Sequence, residues 1–466
     1  MGDESRQSER TYLRKVAVNT RGYSEGQSSS AAQRERIIHA RELYLRMIEE
    51  ILSRENMLSA LARVEANKGS HGVDGMSVKD LRRHLVQHWQ TIRESIKKGA
   101  YEPSPVRRVE IPKPNGGTRL LGIPTVTDRL IQQAIIQVLT PVFDPTFSEQ
   151  SYGFRPQRRG HDAVRKARSY MEEGYRIVVD IDMEKFFDRI HHDRLMAKLA
   201  ERVTDKMVLK LIRGYLQAGV MEGGLVQSTT EGAPQGGPLS PLLSNIVLDE
   251  LDKELEKRNL RFVRYADDCN IYVKTWKAGQ RVMSSITAFI EGKLKLKVNR
   301  EKSAVARPWR RKFLGFTFSW EKKNPRIKIA KPSLDRVKAK IKAITSRSKP
   351  IPIELRIKEL NQYLTGWCGY YALADTKSVF QGLDEWIRRR LRMCIWKEWK
   401  QPKTKVRKLL SLGVSKQKAH EWGNSRKKYW RIACSPILHR SLDNQYWSSL
   451  GLRSLTDRYN HLRNMT

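Results

Sequence analysis

Two adjacent aspartates interrupt an apolar, strand-like segment near the middle of the chain, and they restrict its fold more than any other feature. The segment is RYADDCNIYV, residues 264–273, and the acids are Asp267 and Asp268. Burying an unpaired carboxylate is costly, and a like charge beside it adds to that cost. A bound divalent cation compensates such repulsion. The segment therefore predicts a strand–turn–strand that carries both acids at its tip, next to a metal ion.

A second apolar strand also ends in acids. In RIVVDIDMEKFF, Asp180 and Asp182 close the apolar run. Because strand side chains alternate, both acids face the same side, and periodicity does not choose between them. Phosphoryl transfer with two metal ions requires a carboxylate that bridges both ions, and aspartate oxygens suit Mg²⁺. Together the two acidic strand ends indicate a site for phosphoryl transfer.

The charge of the chain indicates a polyanionic partner. Its 466 residues include 89 Lys and Arg against 50 Asp and Glu, a formal net charge of +39, and nucleic acid is the natural partner for such an excess. Residues 401–466 mix 14 Lys and Arg with aromatic side chains, a combination suited to phosphate contacts and base stacking. A basic surface around an ordinary aromatic core is the alternative. The four cysteines form no closely spaced pair, and no apolar run is long enough to span a membrane.

Strand and helix patterns alternate along the first two thirds of the chain, so the predicted fold class is α+β. Residues 36–66 show a helical pattern, strand-like VRRVEIPKP and TRLLGIP flank a turn, and TDRLIQQAIIQVLTPVF predicts a helix that stops near Pro141. After residue 330 the pattern becomes almost entirely helical, which predicts a small bundle. Residues 1–35 are polar and predict a flexible tail.

Several blocks of sequence occur in a recognisable order. They are VRRVEIPKPNGGTRLLGIP, SYGFRPQRRG, VVDIDMEKFFDRI, GAPQGGPLSPLLSNIV, RYADDCNIYVKT, LKVNREKS and KFLGFTF. These blocks resemble those of a group II intron-encoded reverse transcriptase, or maturase, and the resemblance runs from about residue 45 to residue 466. It is closest to the short group IIC type, which lacks a Cys/His endonuclease domain.

The resemblance implies a right-hand polymerase with a helical thumb. The implied domains are a flexible tail (1–35), fingers and palm with an N-terminal extension (36–320), a helical thumb or maturase domain (321–400) and a small basic DNA-binding domain (401–466). The implied enzyme is an RNA-directed DNA polymerase that also binds its intron RNA to assist splicing and retrohoming.

The resemblance also selects catalytic residues. Asp182, Asp267 and Asp268 are implied to hold two Mg²⁺ ions. The family pattern D-x-x-x-F-F-D places the metal-binding aspartate five positions before a gating aromatic, which favours Asp182 over Asp180 and makes Phe187 the gate against ribonucleotides. Packing of the Phe pair into a core is the alternative for the gate.

Further positions match nucleotide and nucleic-acid contacts of the family. The implied nucleotide-binding residues are Arg107, Lys113, Arg119, Phe187, Gln235 and Lys302. The implied template or primer contacts are Gly236, Gly237, Phe313, Leu314 and Gly315. Fixed positive charge suits a triphosphate, and glycines let the backbone approach a base pair. A solvated strand face is the alternative for the basic residues.

The expected partners are intron RNA, an RNA template, a DNA primer or target and deoxynucleoside triphosphates, in the bacterial cytoplasm at the nucleoid. Two alternatives have other biological roles: a splicing factor with little polymerase activity, and a domesticated reverse transcriptase in repair or defence. The set of three aspartates disfavours the first, and Ala266, which follows the ordinary intron pattern, disfavours the second. The bulk of Phe187 disfavours a third alternative, an RNA polymerase with the same palm.

Overall fold

The computed structural model describes residues 47–112, 117–222, 225–227, 231–233, 235–321 and 323–465. The predicted tail and Lys113 lie outside the described residues. The helices are α1 (Met47–Ile51), α2 (Arg54–Asn67), α3 (Leu81–Lys97), α4 (Val126–Phe143), α5 (Gly160–Glu172), α6 (His192–Ala200), α7 (Lys206–Gln217), α8 (Ser240–Lys257), α9 (Trp276–Gly292), α10 (Lys331–Ile344), α11 (Ile353–Tyr371), α12 (Lys377–Glu398), α13 (Pro402–Ser411), α14 (Lys416–Gly423), α15 (Tyr429–Ile432), α16 (Pro436–Ser441), α17 (Asn444–Ser449) and α18 (Leu455–Asn464). The strands are β1 (Val106–Pro112), β2 (Thr118–Ile123), β3 (Ile177–Ile181), β4 (Val220–Glu222), β5 (Leu225–Gln227), β6 (Arg261–Tyr265), β7 (Asp268–Val273), β8 (Ala304–Ala306), β9 (Phe316–Phe318) and β10 (Ile327–Ile329).

The described chain divides into two compact units. The first contains the residues up to Pro145 together with Ile190–Leu243. Its sheet has the strand order β2–β1–β4–β5, in which β1 and β2 form the antiparallel hairpin expected from the sequence. Strand β1 also pairs in parallel with β4.

Two helices of the first unit differ from the sequence expectation. The helical pattern predicted for residues 36–66 is divided within its described part, because Ser53 adopts an extended conformation and its side chain caps α2 by accepting a hydrogen bond from Asn56 N. Helix α4 was expected to stop near Pro141 but continues to Phe143. A proline in the last turn disturbs only the end of the hydrogen-bond ladder, so the helix tolerates it.

The second unit contains Thr146–Arg189 and Ser244–Thr466. Its larger sheet has the order β6–β7–β3–β8, and all neighbouring strands are antiparallel. Every residue of β3 is buried, and helix α9 packs against this strand. A central, buried strand is rigid, so it is a suitable support for a residue at its end.

The end of the second unit is helical, as the sequence predicts. Arg390 of α12 donates to the Thr345 carbonyl oxygen at the C-terminal end of α10 (3.2 Å). Asp384, also on α12, accepts hydrogen bonds from Leu455 N and Thr456 N at the start of α18, both at 2.9 Å. Helix α12 therefore binds both preceding and following helices. The limits of the individual domains remain predictions.

Candidate active site

The register of the second unit's larger sheet brings the acidic strand ends together. Ile181, the last residue of β3, is opposite Cys269 of β7. Asp182 therefore comes level with Asp268, the first residue of β7. Because Tyr265 pairs with Asp268, the turn between β6 and β7 has two residues, Ala266 and Asp267. The sequence prediction of a hairpin with both acids at its tip is confirmed.

A fully buried arginine holds this turn in place. Arg264 donates to the Ala266 carbonyl oxygen (2.9 Å), to Asn245 Oδ1 (3.0 Å) and to Ser151 Oγ (2.8 Å). It also forms a two-pronged ion pair with Asp252 through Nε (2.7 Å) and Nη2 (2.5 Å). The turn needs such support because Ala266 has a φ of +56°, a conformation that residues with a Cβ adopt at a cost. Arg264 was not among the residues expected from the sequence, although a charged residue inside an apolar strand is a signal for a buried ion pair.

A later segment fixes the backbone of Asp182. Its N–H donates to Ser303 Oγ (3.0 Å), and its carbonyl oxygen accepts from Asn299 N (2.8 Å). The side chain of Lys302 lies in the same segment, with its Nζ 3.7 Å from Asp182 Oδ1. The block NREKS was selected for Lys302 alone, yet Asn299 and Ser303 hold Asp182 more directly. Their partners are far away in the sequence, so spacing could not identify them.

Asp180 and Asp182 have different surroundings. Asp180 is buried, and its Oδ2 accepts a hydrogen bond from Arg311 Nε (2.6 Å) and forms an ion pair with Arg311 Nη2 (2.5 Å). Burial raises the pKa of Asp180, and Arg311 opposes that rise. The oxygen of Asp180 that faces this arginine is thus occupied, whereas Asp182 forms an ion pair with the more distant Lys302 ammonium, and the charge of Arg311 also lowers its pKa.

The acids interact with one another electrostatically. Burial, together with the charges of Asp180, Asp267 and Asp182, raises the pKa of Asp268 to about 8. Burial raises the pKa of Asp182 as well, with Lys302 lowering it and Asp267 raising it. These carboxylates lie close enough to raise one another's pKa, so they repel one another when ionised. A bound cation would reduce this repulsion.

The donor chemistry of this cluster fits a magnesium site. Asp182, Asp267 and Asp268 offer carboxylate oxygens, the hard ligands that Mg²⁺ prefers. Within the described ranges, no three His, Cys, Asp or Glu side chains already stand in the geometry of a metal site.

The two adjacent phenylalanines have separate roles in the fold. Phe186 is only 2% exposed and belongs to the core, while Phe187 is half-buried. Their rings meet edge to face with centroids 5.1 Å apart. The core thus fixes Phe186, and Phe186 in turn supports Phe187 at the surface, five positions after Asp182.

Two of the basic residues expected to bind a nucleotide, Arg107 and Arg119, lie in the first unit, whereas Lys302 lies in the second. Arg119 is exposed on β2. Arg107 on β1 is engaged, because its guanidinium donates to Ser70 Oγ (2.9 Å) and to the His71 carbonyl oxygen (3.0 Å). Gln235 is half-buried, and its carbonyl oxygen accepts from Gly122 N (2.7 Å).

The fold itself explains the glycine pair that follows Gln235. Gly236 has a φ of +133°, and a Cβ there would lie 2.6 Å from the carbonyl oxygen of Gly122. A Cβ at Gly237 would lie 2.4 Å from Gln132 Oε1. Close packing of this loop on β2 therefore requires glycine at position 236, independently of any contact with nucleic acid, whereas a Cβ at position 237 would have to displace the side-chain amide of Gln132 on α4.

The segment expected to hold a primer forms a tight turn. Phe313 and Phe316 exchange two backbone hydrogen bonds of 2.9 Å, with Leu314 and Gly315 at the tip. The Tyr370 hydroxyl of α11 donates to the Leu314 carbonyl oxygen (2.9 Å). The Phe313 side chain is buried in the core, so Leu314 and the Gly315 backbone are the parts of this turn that a ligand could touch.

Two models of known families match successive parts of the chain. The family model described as reverse transcriptase (RNA-dependent DNA polymerase) matches residues 111–318. The model of the group II intron maturase-specific domain matches residues 334–412. The chain belongs to the group II intron reverse transcriptase and maturase family. The family assignment, the polymerase fold and the enzyme class expected from the sequence are thereby confirmed.

Individual relatives agree with this family. The chain is 33% identical over 304 residues to protein YkfC of Escherichia coli (strain K12) and spans 80% of it. It is 36% identical over 231 residues, 48% of the chain, to the group II intron-encoded protein LtrA of Lactococcus lactis subsp. cremoris, of which it spans 37%. It is 26% identical over 393 residues, 71% of the chain, to the putative COX1/OXI3 intron 2 protein of Saccharomyces cerevisiae (strain ATCC 204508 / S288c), of which it spans 45%. The chain thus spans less than half of these two intron proteins.

Membership of this family makes nucleic acid, and intron RNA in particular, the class of partner. Reverse transcriptases of this family generally depend on magnesium. Among the described helices, none is both long and apolar enough to cross a membrane.

Proposed function

We propose that this chain copies RNA into DNA at the site formed by Asp182, Asp267 and Asp268, and that it also binds its own intron RNA to assist splicing and retrohoming. One observation carries the first part. The strand register brings Asp182 level with Asp268, and Asp267 lies in the adjoining turn. Separate networks hold the two strand ends, because Arg264 holds the hairpin and the segment from Asn299 to Ser303 holds Asp182.

The three aspartates would hold two Mg²⁺ ions. When bound, these ions would lower the pKa of the primer 3′-hydroxyl and neutralise charge on the triphosphate and the leaving pyrophosphate. The protein side chains position the reactants. The half-buried ring of Phe187 would fill the space of a ribose 2′-hydroxyl, so that deoxynucleotides are preferred.

The remaining proposed contacts surround the nucleotide and the duplex. Arg119, Lys113 and Lys302 would supply positive charge to the triphosphate. Arg107 would have to exchange its bonds to Ser70 and His71 for a nucleotide. Further contacts to the nucleotide, template or primer are proposed for Gln235, Gly236, Gly237, Phe313, Leu314 and Gly315.

The second part of the proposal concerns RNA. The maturase-specific match and the basic composition of residues 401–466 support binding to intron RNA and target DNA. In this class the RNA performs the splicing chemistry, and the protein would contribute binding free energy. We place this activity in the bacterial cytoplasm at the nucleoid, where template and target meet.

Primer extension on an RNA template tests the polymerase. Asp267→Ala and Asp268→Ala should each abolish cDNA synthesis in Mg²⁺ while intron RNA affinity stays near the unmodified value. Asp335→Ala, which removes an exposed acid on α10, is the matched control and should leave both properties unchanged. Loss of synthesis and RNA binding together would show that the hairpin acids are structural. Intact synthesis in the double variant would refute the assignment.

A further inference from the structure

An exposed phenylalanine in the loop before α5 occupies an unfavourable backbone conformation. Phe154 has a φ of +59°, and its side chain is 54% exposed. Side chains larger than that of glycine are strained in this left-handed region, except where asparagine or aspartate can form local hydrogen bonds. An aromatic ring that remains in water recovers little of this cost through burial. Strain of this kind tends to persist at sites where it serves function.

The residues before Phe154 pack closely against, and hydrogen-bond to, the β6–β7 hairpin, called here the catalytic hairpin because it carries Asp267 and Asp268. A Cβ at Gly153 would lie 2.2 Å from Ala266 N, so only glycine permits the observed approach. The Gly153 carbonyl oxygen accepts from Asn245 Nδ2 (2.9 Å), and Tyr152 N donates to the Arg264 carbonyl oxygen (2.9 Å). The loop therefore moves with the hairpin rather than independently of it.

The residue after Phe154 is locked as well. Arg155 is buried, and its Nη1 donates to the carbonyl oxygens of Ser148 (2.6 Å) and Ser151 (3.1 Å). Its guanidinium also lies 5.6 Å from the centroid of the Phe147 ring. With both neighbours anchored, Phe154 is held outward and cannot fold back onto the core.

The position of the ring defines what it can touch. Its centroid is 6.3 Å from that of Tyr265, the residue that leads into the turn carrying Asp267. We infer that Phe154 packs against a base or sugar of the nucleic acid bound at the catalytic hairpin, as a substrate-contact residue that helps to position the growing end. This inference rests on the proposed function for where nucleic acid binds. Aromatic side chains gain substantial free energy by stacking on bases, and they do so with little dependence on base sequence.

Binding of a fluorescent RNA–DNA hybrid without nucleotides tests the inference independently of catalysis. Phe154→Gly and Phe154→Asn remove both the ring and the strain. We expect an unchanged or higher Tm for both variants, together with hybrid affinity weakened on the order of tenfold. Phe154→Trp should keep the affinity near that of the unmodified chain. Trp276→Ala is the control, because Trp276 is 47% exposed and begins α9, beyond the end of β7 that is remote from the aspartates.

The same variants are then compared in primer extension. A raised KM for primer–template with a largely retained kcat supports a contact to nucleic acid. A lowered Tm in the Gly and Asn variants would instead show that the ring stabilises the fold, and unchanged hybrid affinity would show that it touches no nucleic acid; either result overturns the inference. If the unmodified chain binds hybrid but fails to extend it, the polymerase proposal fails while the binding data still decide the role of Phe154.

Discussion

At the scale of single residues, the buried guanidinium group of Arg264 holds in place the turn that carries Asp267. Arg264 has side chains or carbonyl oxygens as partners for all three of its guanidinium nitrogens, including both oxygens of the buried Asp252. Guanidinium can do this because its donors form a planar fork, which an ammonium group does not offer. A charge this deeply buried is tolerated only while its partners are complete.

Arg264→Lys should therefore lower stability by about 3–5 kcal/mol and abolish cDNA synthesis. Thermal unfolding and primer extension measure the two effects. The double variant Arg264→Met/Asp252→Leu should recover part of the Tm without recovering activity, because the Ala266 carbonyl oxygen still lacks its donor. Arg300→Ala, which removes an exposed ion pair with Glu291, should change stability by no more than about 1 kcal/mol. Activity in the double variant would contradict the positioning role.

Asp268 should make the metal-free protein less stable as the pH rises. Its pKa is about 8 in the folded protein, against about 3.9 in an unfolded chain. Between these values the folded state holds a proton that the unfolded state has released, so stability falls as the pH increases. In chelator, Asp268→Asn should raise the Tm by several degrees at pH 8 and by much less at pH 4.5. Parallel Tm profiles for both proteins would refute this linkage.

Phe187 should control the choice of sugar. Phe187→Ala should improve the use of ribonucleotides relative to deoxynucleotides by about tenfold or more, because the space for a 2′-hydroxyl opens. The comparison variant Phe186→Ala removes a buried ring that supports Phe187, so it should cost about 3–5 kcal/mol of stability and relax selectivity less than Phe187→Ala does. Relative incorporation rates for the two nucleotide types provide the measurement. Equal selectivity in both variants would exclude a gate at Phe187.

At the scale of elements, the segment from Asn299 to Ser303, which precedes β8, fixes the backbone at the end of β3; we call this segment the clamp. Ser303→Ala removes the hydroxyl that accepts from Asp182 N, so we expect kcat to fall about tenfold with a small change in Tm. Ser303→Thr keeps the hydroxyl and should retain most activity. Single-turnover extension separates the chemical step from binding. Full activity in the alanine variant would show that the clamp is dispensable.

Local sequence patterns predicted the helices and strands better than the tertiary contacts between them. Alternation and apolar runs were sufficient for β3 and the β6–β7 hairpin, because these signals lie within a few neighbouring residues. The partners of Arg264 could not be predicted, since Ser151 and Asn245 lie far from it in the sequence. The requirement for glycine at Gly236 likewise depends on Gly122, which only the fold brings close.

The proposed catalytic residues were partly accessible to sequence reasoning. Adjacent acids in an apolar strand indicated Asp267 and Asp268 directly. The choice of Asp182 over Asp180 required the family resemblance, because both share one face of the strand. The structure adds a physical difference, since Asp180 accepts a hydrogen bond from Arg311 Nε at 2.6 Å, whereas Asp182 Oδ1 lies 3.7 Å from Lys302 Nζ. The roles in substrate binding remain predictions.

At the scale of the whole molecule, a formal charge of +39 should dominate the affinity for nucleic acid. Each phosphate contact releases condensed counterions, so log K should fall linearly with log salt concentration. If about six to ten phosphates are contacted, affinity should drop about 10³- to 10⁵-fold between roughly 50 and 200 mM salt. Fluorescence anisotropy with a labelled RNA gives the slope. A flat response would contradict an interface dominated by phosphate contacts.

The long separation between Asp182 and its clamp has a consequence for biosynthesis. Ser303 follows Asp182 by 121 positions, and a ribosome adding about 5–20 residues per second needs roughly 6–24 s to cover that distance. Until then a nascent chain contains the aspartate without the hydroxyl that fixes its backbone. Arg311, the partner of Asp180, emerges later still. Incomplete translation products are therefore expected to lack polymerase activity. Copying begins only after the ribosome has passed the codons of Ser303 and Arg311.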